Sequence, residues 1–277
     1  MTLGVFLLVL LGAVLHASWN AIVKGAGDRL LTMILVGIAA AVLAGLALPF
    51  LPPPSPASRP FIAASVLLQV VYFVLVVRVY DAADLSLAYP VMRGTAPFLV
   101  SLVDRTAIGE RLSPAAWAGI GAISLGILLM VVNGGSRHRR GLALALLNAL
   151  VIAAYTLVDG LGARRSGAPA AYTLWIFLLT GVPLALWAWA RRRAALVRCA
   201  AGAWPYGLLG GIGSVASYGL ALWAMTRAPV AVVAALRETS ILFGIAISAL
   251  WLGERPGTAR LTAAGMIALG AAALRLA

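Results

Sequence analysis

Apolar runs of about twenty residues follow one another from Leu3 almost to the C-terminus, separated by short polar turns. Wound as an α-helix at about 1.5 Å per residue, such a run spans the roughly 30 Å hydrocarbon core of a bilayer. In lipid every backbone N–H and C=O must be satisfied within the protein, so these runs predict a helical bundle. Ten of them fit, near residues 3–23, 30–50, 61–80, 84–104, 115–132, 141–160, 170–190, 204–225, 229–252 and 258–275. The connections between them are too short for a separate soluble domain. With 63% hydrophobic and 10% charged residues, a soluble fold of 277 residues could not solvate its surface. The formal charge of +13 does not indicate a nucleic-acid partner, because no basic, aromatic-laced module accompanies it. Arginines placed in loops to fix topology account for it better. A single cysteine, Cys199, excludes an internal disulfide and a cysteine-based metal cluster. The first run lacks a basic leader and continues past signal-peptide length, so it is expected as a retained span.

Two stretches half a chain apart repeat one another. In each, a single arginine interrupts an apolar run, Arg93 in the first and Arg237 in the second. In each, Gly-Glu-Arg begins 16 residues later, at Gly109 (109 − 93) and Gly253 (253 − 237). At an offset of 144, residues 93–126 and 237–270 share ten identities over 34 positions. A weaker echo relates Ala13, Ala17, Trp19 and Asn20 to Ala149, Ala153, Tyr155 and Thr156. The repeats are expected over 1–134 and 141–277, each with five spans. Five is odd, so the second copy enters the membrane from the opposite side, giving an inverted repeat.

These residues resemble the drug/metabolite transporter superfamily, specifically its EamA-type ten-helix members. The resemblance rests on the two arginine segments, each ending in Gly-Glu-Arg before a glycine-rich last helix (Gly119, Gly121, Gly126; Gly265, Gly270), and on the small-residue, Ser-Trp-Asn pattern of the first span. It implies a central cavity lined by spans 1, 3, 4, 6, 8 and 9 and worked by alternating access. Bacterial relatives include exporters of amino acids and other small metabolites.

Arg93 and Arg237 are the chief candidate substrate contacts. An arginine at mid-span costs about 2.5–3.5 kcal/mol on insertion scales, so it must face a partner or water. A pair of cations related by the repeat would hold a carboxylate or phosphate-like group; the alternative is internal ion pairing. Pro97 removes the helical donor to the Arg93 carbonyl, and Pro90 does the same to Ser86, so span 4 is expected to open there. Span 9 has no proline beyond its first residue, Pro229. In span 1, His16, Asn20 and Lys24 follow at i, i+4 and i+8 with Trp19 beside them. That stripe supplies hydrogen bonds either to a cavity or to neighbouring helices. Lys24 is read as snorkelling at the interface. Tyr155 and Asp159 form a matching pair in span 6. Gln69, Tyr72, Tyr89, Ser214, Ser217, Tyr218 and Trp223 complete the candidates. Glu238 leads the candidates for proton coupling by its depth, followed by Asp159 and His16. Glu110 and Glu254 look structural, able to cap a helix or pair with an arginine.

No nucleophile–base set, Walker motif or metal-ligand cluster stands out, so neither catalysis nor a cofactor is expected. The fold class is an all-α integral membrane protein with ten spans in two inverted five-helix repeats. The expected function is secondary transport, as an exporter, of a small polar metabolite, an amino acid or another solute with an anionic group. The rival readings are a flippase for lipids or lipid-linked sugars and a non-transporting scaffold subunit. Expected partners are the small-molecule substrate, membrane lipids and protons, but not nucleic acid, with the chain a monomer or homodimer. The expected location is a bacterial-type inner membrane. Leaving out Arg93 and Arg237, odd-numbered connections carry 12 lysines and arginines and the remainder 7, which places both termini outside.

Overall fold

The computed structural model describes residues 1–24, 29–105, 109–133, 139–251 and 256–277. The chain is 90% helical, with no strand among the described residues. Ten helices follow in order: α1 (Leu3–Lys24), α2 (Arg29–Ala47), α3 (Arg59–Ala82), α4 (Leu85–Val103), α5 (Pro114–Leu129), α6 (Arg139–Ser166), α7 (Pro169–Met225), α8 (Val230–Arg237), α9 (Ser240–Trp251) and α10 (Thr258–Leu276). Seven segments are long and apolar enough to cross a membrane, with α8 and α9 forming one of them over Val230–Leu250. Two shorter apolar helices cover Leu87–Val103 and Pro114–Leu129. Leucines and valines point outward along these segments, including Leu7, Leu11, Val42, Leu46, Leu67 and Leu186, as on a surface wetted by lipid tails.

Two expected connections and breaks are corrected. Residues 191–198, read from sequence as a basic loop, are helical apart from Arg192, whose φ of −139° and ψ of 28° break α7. Straight, 57 residues would run about 85 Å. Instead the two ends of α7 meet again at one side chain. Arg164, just before α7, donates from Nε to the Met225 carbonyl at its far end (2.7 Å) and from Nη2 to Ala228 (2.9 Å). The segment therefore doubles back at Arg192. The second correction concerns span 4: α4 stays one helix through Pro90 and Pro97. The break falls in span 9 instead. Between α8 and α9, the amides of Glu238, Thr239, Ile241 and Leu242 donate to carbonyls three residues back, tightening the backbone beside Arg237.

Glycines let the helices approach closely. A Cβ on Gly213 would meet Trp19, and Cβ atoms on Gly207, Gly210 and Gly211 would meet α2 at 2.9, 2.5 and 2.8 Å. Between α5 and α10 the contacts are reciprocal. A Cβ on Gly119 would lie 2.8 Å from the Gly270 carbonyl, and one on Gly126 would lie 3.1 Å from that of Ala263. The offset of 144 turns the contact 119–270 into 263–126, so each contact is the image of the other.

Candidate functional site

Arg93 lies near the middle of α4, eight residues from its start and ten from its end. Arg237 closes α8, at the tightened backbone between α8 and α9. In the sequence both arginines stand 16 residues before a Gly-Glu-Arg turn. Their surroundings differ. Arg93 Nε lies 2.8 Å from Glu238 Oε2, with side chains 13% and 7% exposed. The two atoms are not aligned as a hydrogen bond, so the contact is mainly a charge pairing. Arg237 has no carboxylate within 4.0 Å among the described residues. Its guanidinium lies over the Tyr218 ring, 4.9 Å from the centroid. Glu238 thus pairs with the arginine of the other half rather than its own neighbour.

Tyr218 links Arg237 to Asp159. Its hydroxyl donates to Asp159 Oδ2 at 2.5 Å, and the Tyr172 hydroxyl donates to Oδ1 at 3.2 Å. Asp159 is fully buried, not a solvated span end. Ser65 on α3 lies close to Asp159, and Gln69 donates to Ser65 at 3.3 Å. Tyr172 and Ser65 were not picked out from sequence. Tyr172 stands near a span start, where tyrosine ordinarily marks the interface.

Most other candidates gather around this cluster. Tyr72 and Tyr155 meet edge to face, with centroids 5.8 Å apart. Tyr89 lies within electrostatic reach of Arg93 and Glu238, and Tyr155 within reach of both arginines, Asp159 and Glu238. His16 also lies within reach of both arginines and meets Trp19 edge-on at 5.4 Å. The Trp19 indole Nε1 is buried without an acceptor among the described residues. Ser214 is half-buried on α7, one turn before Tyr218. Asn20 is exposed and turned back on its own helix, donating to the His16 carbonyl at 2.7 Å. The Lys24 side chain and the Gly253-Glu254-Arg255 turn fall outside the described residues.

The two ends of α4 contrast. At its far end, Asp104 and Glu110 reach into the second half, where their oxygens accept the Ala231 and Val230 amides, each at 3.3 Å. These are the first two amides of α8, where carboxylates also meet the positive end of the helix dipole. Arg164 pairs with Glu110 while holding the Met225 and Ala228 carbonyls. Glu110 is structural, as expected, but it caps a helix of the other repeat. At the near end, Arg78, Tyr80, Asp81, Ala82, Ala83, Asp84 and Arg140 line a cavity of about 620 Å³.

Residues 139–276 match the model of the EamA-like transporter family. No curated protein matches the sequence. A solved crystal structure superposes with a TM-score of 0.73 at 21% identity, covering 100% of this chain and 98% of the other. At that identity the likeness shows the fold alone.

Proposed function

The chain belongs to the EamA-like transporter family, part of the drug/metabolite transporter superfamily, and from that premise we propose that it is a secondary carrier of a small metabolite bearing an anionic group. One observation carries the substrate class. Of the two arginines, Glu238 neutralises Arg93, whereas Arg237 lies over the Tyr218 ring with no carboxylate in contact among the described residues. A cation so placed within a membrane protein is costly unless an anion or water meets it. The tyrosines and Trp19 around it offer hydroxyls, an indole N–H and ring faces to the rest of the solute.

Ten spans in two inverted halves, 1–134 and 141–277, support alternating access about this site. Seven long apolar segments, two shorter ones and the doubling back at Arg192 together favour that count. The reciprocal glycine contacts of α5 and α10 favour a twofold relation between the halves. The latch of Asp104, Glu110 and Arg164 and the cavity beside Asp84 sit at opposite ends of α4, as in a carrier closed on one face. By the arginine count the cavity faces the cytoplasm and both termini lie outside the inner membrane, which suits loading for export.

Thermal-shift screening of purified protein against carboxylates and amino acids, followed by counterflow in proteoliposomes, tests the reading. Stabilisation by an anionic solute that is lost in Arg237→Ala is expected. Equal stabilisation of wild type and variant, or no counterflow of any solute tested, overturns it.

A further inference from the structure

Two buried acids lie near the arginines, and their surroundings suit them to opposite tasks. Glu238 faces the Arg93 guanidinium at 2.8 Å. A guanidinium only donates hydrogen bonds and stays charged, so a proton on Glu238 would strand Arg93 at mid-span. Asp159 meets hydroxyls instead: Tyr172 and Tyr218 from α7 and Ser65 from α3. A hydroxyl donates to a carboxylate and accepts from a carboxylic acid, so this shell accommodates both protonation states by rotating O–H bonds. No ion pair fixes the charge of Asp159 among the described residues. The nearest fixed charge is Arg237 on α8, on the face of the ring whose hydroxyl holds the Asp159 carboxyl. Behind it lies the Arg93–Glu238 pair, and on its own helix lies the uncharged Tyr155.

We infer that Asp159 is the proton-binding group of this carrier and that an anion arriving at Arg237 is taken up together with one proton at Asp159. The inference rests on the transport reading above and gives it a coupling site. While the site is empty, the positive charge of Arg237 favours an ionised Asp159. An anion seated on Arg237 cancels that charge and adds a negative one beside a fully buried carboxylate, which then takes a proton from the open face. Tyr218 serves both partners: it stops donating to Oδ2 and accepts from the new O–H. Glu238 remains ionised throughout as the counter-charge of Arg93.

Calorimetric titration with pyruvate, a monoanionic probe, in buffers of different ionisation enthalpy counts the protons. One proton taken up per pyruvate is expected, with affinity rising up to about tenfold per pH unit on acidification. Asp159→Asn should abolish both effects and still bind. Proton uptake that survives Asp159→Asn and disappears in Glu238→Gln overturns the assignment. If Asp159→Asn does not fold, Asp159→Glu replaces it, and an unchanged midpoint of the pH dependence overturns the assignment. Infrared spectra of the ligand-free protein judge the proton site even if pyruvate fails to bind. A protonated-carboxyl band removed by Asp159→Asn, or shifted in frequency by Asp159→Glu, should grow at fixed pH in Arg237→Ala. A band missing from Arg237→Ala as well, or one indifferent to Arg237, refutes the inference. Failure of every solute to bind, with that response intact, removes the transport reading alone.

Discussion

Arg93 and Arg237 occupy equivalent positions in two copies of one segment, yet one is tied down and the other is open. The difference comes from position 238. Its counterpart in the first copy is Gly94, so the second copy alone carries an acid, and the chain crossing sends that acid to the first copy's arginine. On the function proposed above, one unmatched acid turns two equivalent arginines into a structural pair and a receptor.

The sharpest way to break the comparison is to remove each arginine in turn. Arg93→Ala leaves Glu238 buried and unpaired, and a loss of about 3–5 kcal/mol is expected in detergent unfolding experiments. Much of it should return in Arg93→Met combined with Glu238→Gln. Arg237→Ala should leave stability within about 1–2 kcal/mol, the scale of its ring contact. It should weaken anion binding by about 1.5–3 kcal/mol, read by titration with the solute found in screening. If the two single variants lose equal stability, the division into structural pair and receptor is wrong.

The all-helical, multi-pass character was legible beforehand in the apolar runs. The pairing of Glu238 was not legible, because adjacency along a helix says nothing about which residue lies across the bundle. The break between α8 and α9 had no proline to announce it. The burial of Asp159 was not plain from sequence because α6 extends to Ser166, six residues beyond the span drawn from apolarity. The basic run 191–198 misled in the opposite way: a run of arginines resembles a loop, yet straight-chain residues form helix readily, and all of it but Arg192 is helical.

Smaller effects sharpen the contrast between the two ends of α4. Arg164→Gln removes the charge pairing with Glu110 and the fork on the Met225 and Ala228 carbonyls. A loss of about 1–3 kcal/mol is expected, together with faster hydrogen exchange at the first amides of α8. Unchanged exchange there would mean that the cluster does not hold the two halves together.

The smallest expected effect is at Asp104, whose Oδ2 accepts the Ala231 amide. Asp104→Ala should cost about 0.5–1.5 kcal/mol in thermal unfolding in detergent. An unchanged unfolding temperature would mean that this capping bond contributes nothing.

The paired glycine contacts of α5 and α10 carry a mechanical consequence. When two bodies rock about a line, points on the line stay still and displacement grows with distance from it. Backbones in contact at Gly119 and Gly270, and again at Gly126 and Ala263, have no side chain between them to absorb sliding. Such a seam tolerates little except turning in place. It is therefore the natural fulcrum, and the parts of the bundle farthest from it receive the longer stroke of the lever.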